Sequence, residues 1–249
     1  MEQRIAGRGF ADQVAVVTGA SSGIGKAIAC GLAAGGMTVC LVGRDRGRLE
    51  AAARDAGSRV HCYMADLARD EDLRGLGERL QRDCPSIDVL VHSAGVISLG
   101  RLEEAPVEEL DRQYRINVRA AYALTQSLLP LIKARRGQIV LINSTAGIHA
   151  RGSVGQYAAT KHALKGIADS LREEVNADGV RVLSIFLGRT ASPMQAALHR
   201  LEGNAYRPEQ LVQPEDVAAM VLSALGLPRS AEVTEISIRP MRKPEGVGT

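Results

Sequence analysis

Short apolar runs rich in β-branched residues alternate along the chain with longer stretches in which apolar side chains recur at helical spacing. The runs at 14–18, 38–43, 59–65, 89–92, 138–144, 181–186 and 233–238 read as strands, each brief and bounded by polar residues or glycine. The segments at 25–34, 45–56, 70–82, 107–135, 156–177 and 214–224 carry the period of amphipathic helices. Strands that return through a helix pair in parallel, and a parallel sheet needs cover on both faces. Right-handed crossovers then favour an α/β, doubly wound, Rossmann-type sheet of about seven mainly parallel strands, with 1–249 forming a single domain. A β/α barrel needs about eight units, one more than can be read here.

One segment breaks the alternation. Residues 188–213 carry Pro193, Gly203 and Pro208 and no predicted strand, which is long for a structureless connection in a compact domain. A substrate lid is preferred to a merely irregular loop, because insertions of this kind tend to be functional.

With 45% apolar and 24% charged residues, a chain of 249 residues can bury a large core and reads as a soluble globular protein. A net charge of +3, no basic block and only 3% aromatic residues argue against nucleic acid as a partner. No long apolar run that would span a membrane occurs, and the first thirteen residues lack the apolar core of a secretory signal. Cys30, Cys40, Cys62 and Cys84 are scattered without C-x-x-C or Cys/His ligand spacing, so they are read as free thiols in a reducing compartment and not as metal ligands. The expected location is the cytoplasm.

Candidate chemistry gathers at two places. After the first strand the chain reads Thr18-Gly19-Ala20-Ser21-Ser22-Gly23-Ile24-Gly25 and runs straight into a helix. Glycine lets the backbone turn sharply and approach a ligand, while the free N–H groups and dipole of a helix N-terminus favour a phosphate. The second place is Tyr157-Ala-Ala-Thr-Lys161, following the strand that ends in Ser144. A spacing of four puts phenol and ammonium on one helix face, where Lys161 favours the phenolate of Tyr157 through space and Ser144 adds a hydroxyl for a carbonyl oxygen.

The glycine loop, the Ser144…Tyr157…Lys161 spacing and the chain length together resemble the short-chain dehydrogenase/reductase family, from about Asp12 to Pro240. The resemblance implies a catalytic tetrad of Asn117, Ser144, Tyr157 and Lys161, with Tyr157 as general acid/base for hydride transfer between a nicotinamide and a small carbonyl or secondary alcohol. It implies cofactor contacts from Gly19, Ser21, Ser22, Gly23, Ile24 and Gly25, from Asp66 and Leu67 at the adenine, and from Tyr157 and Lys161 at the nicotinamide ribose. Ser93-Ala94-Gly95 stands where the family has N-A-G, and Leu187-Gly188 where it has P-G; Thr190 fits the place that bonds the nicotinamide carboxamide. The missing proline implies a more mobile lid entrance. At the end of the second strand, Gly43 is followed by Arg44 with no acid before it, which suits the extra phosphate of NADP(H) better than the bare ribose of NAD. Asp45 comes one residue late and is read as a helix cap, and Arg46 and Arg48 as solvated.

Taken singly, Asn117 also reads as a helix-interior amide, Ser144 as a strand-end turn and Lys161 as a solvated residue. A catalytically silent dinucleotide-binding regulator or redox sensor is the alternative from another class, although a sensor has no need of a proton donor. His149 and Arg151 fall in a substrate-facing loop, His162 points to another helix face than Lys161, and Met194, His199 and Tyr206 belong either to the lid or to packing. The long helices imply pairing about a two-fold axis, hence a homodimer or homotetramer.

Overall fold

Alternate residues of the first strand, β1 (Val14–Thr18), face opposite ways, and both ways lead into a core: Ala15 and Val17 join one apolar cluster, Val16 the other. The computed structural model describes residues 10–242, so the parts of the expected domain at 1–9 and 243–249 lie outside the described residues. Six further strands follow: β2 (Thr38–Gly43), β3 (Val60–Met64), β4 (Val89–His92), β5 (Gln138–Ser144), β6 (Arg181–Leu187) and β7 (Glu235–Ile238). They form one parallel sheet in the order β3-β2-β1-β4-β5-β6-β7.

Helices α1 (Gly23–Ala34), α2 (Arg46–Ala56) and α8 (Pro214–Leu225) cover one face, where Ile28, Leu32, Leu49 and Val221 meet the inward residues of the strands. On the other face, α3 (Asp70–Asp83), α5 (Ala120–Ala134) and α6 (Gly155–Val175) bring Leu76, Leu80, Leu128 and Leu164 against Val16, Leu90 and Ile139. Leu32 and Leu76 have no exposed surface. Truncating either to alanine carries a cost of about 2–5 kcal/mol.

The strands land where the apolar pattern puts them, with differences at the edges. The outermost strands are shorter than expected, because an edge strand lacks a partner on one side: β3 loses positions 59 and 65, β7 loses 233 and 234, and His61, Cys62 and Met64 are exposed. The expected helix over 107–135 is two helices, α4 (Val107–Tyr114) and α5, joined by a π-helical turn at Arg115–Arg119. The segment read as free of regular structure contains α7 (Pro193–Leu201), a 3₁₀ turn at Pro208–Gln210 and a parallel bridge between Thr190 and Val212. Ser192 accepts from Gln195 N at 3.1 Å and Pro193 opens the first turn, a start signal that the methionine- and alanine-rich composition obscured. No helix among the described residues is long and apolar enough to cross a membrane.

The chain builds outward from β1 to β3 and then crosses back to β4 on the other side of β1. The adjacent carboxyl ends of β1 and β4 therefore diverge into a crevice, the place where open α/β sheets bind ligands.

Candidate active site

The crevice is lined by the turn after β1. Gly19 has φ of +67° and Gly23 of +53°, conformations that L side chains rarely adopt. A Cβ on Gly19 would also sit 2.8 Å from the Cα of Ala94, so the turn after β4 packs directly on the turn after β1. Thr18 holds the two turns together: its hydroxyl donates to Val91 O and accepts from the N–H of Ser93 at 3.1 Å and of Ala94 at 3.2 Å. Gly25 lies against the Gly19 carbonyl, with Ser93 Oγ 3.2 Å from where its Cβ would be. Ser22 precedes α1 in an extended conformation, its side chain caps nothing, and no acid occupies the first turn. The first-turn N–H groups and the helix dipole thus present positive charge to the crevice.

A second helix N-terminus faces the same spot. A Cβ on Gly23 would lie 3.3 Å from Ser192 Cβ and 3.9 Å from Pro193 Cδ, so α7 begins beside α1. Two neighbouring helix N-termini suit an anion, with the Ser192 hydroxyl already engaged between Thr190 O and Gln195 N. Ser192 was not among the sequence candidates, although the pair Ser192-Pro193 is a helix start legible in the chain.

At the end of β2, Arg44 is exposed and has no hydrogen-bond or ion-pair partner among the described residues. Asp45 accepts from Arg48 N at 2.9 Å, which turns its carboxylate into the α2 cap, and Arg46 and Arg48 are exposed. After β3, one carboxylate oxygen of Asp66 accepts from Ala68 N at 3.0 Å, while Leu67 packs on the core and lines a small cavity with Thr18, His92, Ala94 and Asn117. His92 bonds Thr125 Oγ1 at 2.8 Å, and burial pushes it down to about 4.

Ser144, Tyr157, Lys161 and Asn117 come together at the carboxyl end of β5. Asn143 joins that strand to α6: its Nδ2 donates to Lys161 O at 3.1 Å and its Oδ1 accepts from Ser144 N at 2.8 Å. Gly147 permits this approach, since a Cβ there would fall 2.7 Å from Asn143 Oδ1 and 2.8 Å from Lys161 O. Ser144 Oγ accepts from Ala146 N at 3.1 Å, which leaves its proton to donate elsewhere. Lys161 is 5% exposed, donates to Ile142 O at 3.0 Å and lies 5.7 Å from the centre of the Tyr157 ring. Asn117 sits in the π-helical turn, donates to Val96 O at 2.9 Å and Thr160 Oγ1 at 3.0 Å, and accepts from Val96 N at 2.8 Å. Thr160 in turn donates to Tyr157 O at 2.8 Å. A Cβ on Gly95 would meet Asn117 Oδ1 at 3.4 Å and Lys161 Nζ at 3.9 Å, so the turn after β4 touches the same cluster.

The protein's own field differs from the expected one. Burial pushes the Tyr157 phenol up to about 12, against a smaller opposite pull from the Ser144 hydroxyl, and pushes Lys161 down to about 8. Removal from water is the largest cause at both groups, and the Lys161 ammonium makes its hydrogen bond to a carbonyl rather than to the phenol. Tyr157 is half-buried by surface area, so its rim stays open to a ligand.

The strand end at Leu187 is tied down, contrary to the loose entrance expected from the missing proline. Gly188 N donates to Ile238 O at 2.8 Å, Thr190 Oγ1 donates to Gly188 O at 3.1 Å, and Arg189 makes two bonds of 2.8 Å to the Glu202 carboxylate at the far end of α7. Those bonds fix the segment that follows Leu187 to β7 and to α7. His149 and Arg151 are exposed, and His162 turns back to Ala158 O on its own helix. His199 is buried against Gln195 and Tyr206, whereas Met194 is 42% exposed.

The short chain dehydrogenase model matches residues 13–202. An uncharacterized oxidoreductase of Staphylococcus epidermidis is 32% identical over 92% of this chain and 98% of its own length. An uncharacterized short-chain type dehydrogenase/reductase of Sinorhizobium fredii is 34% identical over 92% of this chain and 91% of its own. Among solved structures, the alcohol dehydrogenase of the archaeon Thermococcus sibiricus, complexed with 5-hydroxy-NADP, superposes with a TM-score of 0.84 at 27% identity, covering 94% of this chain and 99% of that one. With matches across nearly its whole length and a fold shared with the Thermococcus structure, the chain belongs to the short-chain dehydrogenase/reductase family, oxidoreductases that act with NAD(P).

Proposed function

We propose that the protein is an NADP(H)-dependent oxidoreductase that interconverts a small-molecule carbonyl and its secondary alcohol. The observation that carries this reading is the convergence of a hydroxyl, a phenol, an ammonium and an amide, from Ser144, Tyr157, Lys161 and Asn117, beside a glycine-lined crevice. The crevice fits a dinucleotide: the positive φ of Gly19 and Gly23 shapes the turn that lines it, and two helix N-termini supply the charge that a pyrophosphate needs. Gly19, Ser21, Ser22, Gly23, Ile24, Gly25 and Ser192 hold the phosphates in this reading, Asp66 and Leu67 the adenine side, and Ser93, Ala94, Gly95, Gly188 and Thr190 the nicotinamide side. Arg44, exposed and unpaired among the described residues, takes the 2′-phosphate, and the Thermococcus structure complexed with 5-hydroxy-NADP supports that choice.

A bound nicotinamide, held by these residues, would supply the hydride chemistry. Ser144 donates its free proton to the carbonyl oxygen and holds it. Tyr157, neutral at physiological pH, protonates that oxygen in reduction and receives the proton back in oxidation. Lys161 holds the nicotinamide ribose and supplies positive charge beside the phenol. Asn117 keeps the turn after β4 on α6 and supports the proton path.

Residues 188–213 form the lid, anchored by the Arg189–Glu202 ion pair, which ties the segment after β6 to the C-terminal end of α7. Val107, Tyr114 and Tyr122 are 61%, 48% and 54% exposed on α4 and α5, which supports a homodimer or homotetramer formed through those helices.

The test follows NADPH and NADH oxidation over a panel of ketones and aldehydes, with Tyr157→Phe beside the wild type. Turnover that prefers NADPH and falls about 10²–10⁴-fold in the variant is expected. Tight cofactor binding without turnover on any carbonyl would favour the regulator or sensor, and unchanged turnover in Tyr157→Phe would point to another proton donor.

A further inference from the structure

Two cysteines 44 positions apart in sequence meet in the interior, Sγ to Sγ at 3.6 Å. Cys40 projects from β2 into the core cluster beneath α3, and Cys84 is the residue that caps the C-terminus of α3, just before the exposed Pro85. They are 1% and 5% exposed. The polar groups beside them are the Tyr63 hydroxyl and the carboxylate of Asp83, which bond each other at 3.2 Å. The other two thiols stand apart on the opposite side of the sheet: Cys30 on α1, and Cys62 against Leu49 O. None of the groups placed in the active site touches the pair, so its chemistry is independent of the proposed reaction.

We propose that Cys40 and Cys84 form a dithiol site that a small soluble disulfide, such as glutathione disulfide, oxidises to an intramolecular bond stapling β2 to α3. Cys84 is the thiol that reacts first: buried at the last turn of α3 beside the exposed Pro85, it is uncovered when that helix end opens, and the hydrogen bond it shares with Cys40 holds it below the usual thiol range. Its thiolate attacks one sulfur of glutathione disulfide and expels one glutathione thiolate, leaving glutathione on Cys84. Cys40, kept protonated by burial and by the shared hydrogen bond, gives up its proton to solvent as it attacks the Cys84 sulfur and expels the second glutathione. Two protein thiols are oxidised and one glutathione disulfide is reduced to two glutathiones, so electrons and protons balance. Closing 3.6 Å to a bond of about 2 Å brings together the side chain of Cys40 on β2 and that of Cys84 at the end of α3. The bond would close a loop holding α2, β3 and α3, which restricts the unfolded chain and raises the melting temperature by on the order of 10 °C.

The test treats the whole protein with glutathione disulfide, alkylates the remaining thiols and maps the unreduced peptides by mass spectrometry. Expected are a peptide pair joining Cys40 to Cys84, two alkylated thiols out of four, and a higher melting temperature that dithiothreitol reverses. Cys40→Ser should trap glutathione on Cys84, and Cys84→Ser should leave Cys40 free. Wild-type protein that keeps both residues alkylatable while Cys62 takes up glutathione overturns the proposal. So does glutathione that stays on Cys84 and is never displaced by Cys40. A bridged form that melts no higher than the dithiol overturns the stapling role. The wild-type map decides the chemistry whether or not a serine variant folds.

Discussion

Replacing Arg44 by alanine tests how the protein reads its cofactor. The guanidinium is exposed and unpaired among the described residues, so its loss should leave folding unchanged. Asp45 cannot step in as a ribose acceptor while its carboxylate caps α2 through Arg48 N at 2.9 Å. A hydrogen bond to a charged group contributes about 1.5–3 kcal/mol, and the exposed setting and salt screening favour the lower end. About 1.5 kcal/mol is roughly a tenfold change in affinity. The expected result is a KM for NADPH about tenfold higher at low salt, with the KM for NADH unchanged and the gap between wild type and variant narrowing as salt is added. Steady-state kinetics with each cofactor and thermal melts of both proteins would show this. An unchanged KM for NADPH, or equal losses with both cofactors, would refute the assignment of the 2′-phosphate to Arg44.

Three further outcomes follow from the geometry. Lys161 titrates near 8 in the folded protein against 10.5 unfolded, so the unfolded chain binds the extra proton between those values; stability therefore rises with pH above 8, by up to roughly 3 kcal/mol. Tyr157, pushed up to about 12, keeps its proton longer than the unfolded chain does, which reverses the trend above pH 10; urea melts from pH 7 to 11 should show the rise, and Lys161→Met should remove it. Gly19→Ala forces a side chain into φ of +67° and to within 2.8 Å of Ala94, so it should abolish the fluorescence enhancement of bound NADPH and lower the melting temperature; retained binding would count against the tight crevice. Gln113 has no exposed surface, accepts from Ser98 N and donates to Gln156 Oε1, both at 3.2 Å, linking the turn after β4 to the first turn of the helix that carries Tyr157. Gln113→Leu leaves the half-buried Ser98 N–H and Gln156 Oε1 without their partner, at a cost of about 1 kcal/mol, and should lower kcat as the helix start loosens, with turnover and urea melts measured together.

Much of the fold was legible because its signals are local. Each apolar run of β1, β2, β4 and β5 appears at its expected residues, since a buried parallel strand must be apolar throughout. The α7 helix was hidden because nine residues of mixed composition carry little periodicity, and the cap at Ser192-Pro193 was its only strong local mark. The π-helical turn at Arg115–Arg119 left no mark at all, because it reflects Asn117 bonding Val96 and Thr160 across the fold.

What the sequence determined by itself was the alternation of strands and helices, the glycine turn and the tyrosine and lysine one helical turn apart, all properties of neighbours along the chain. The tertiary structure alone decided which distant groups share a site. It brought α7 beside α1, aimed the Asn143 amide at both Ser144 and Lys161, turned Asp45 into a cap and left Arg44 open. It set the charge states at Tyr157 and Lys161, because removal from water depends on everything packed around a group. It also placed Cys40 against Cys84 across 44 residues, a contact that spacing cannot report because it exists only once β2 and α3 have closed on the same core.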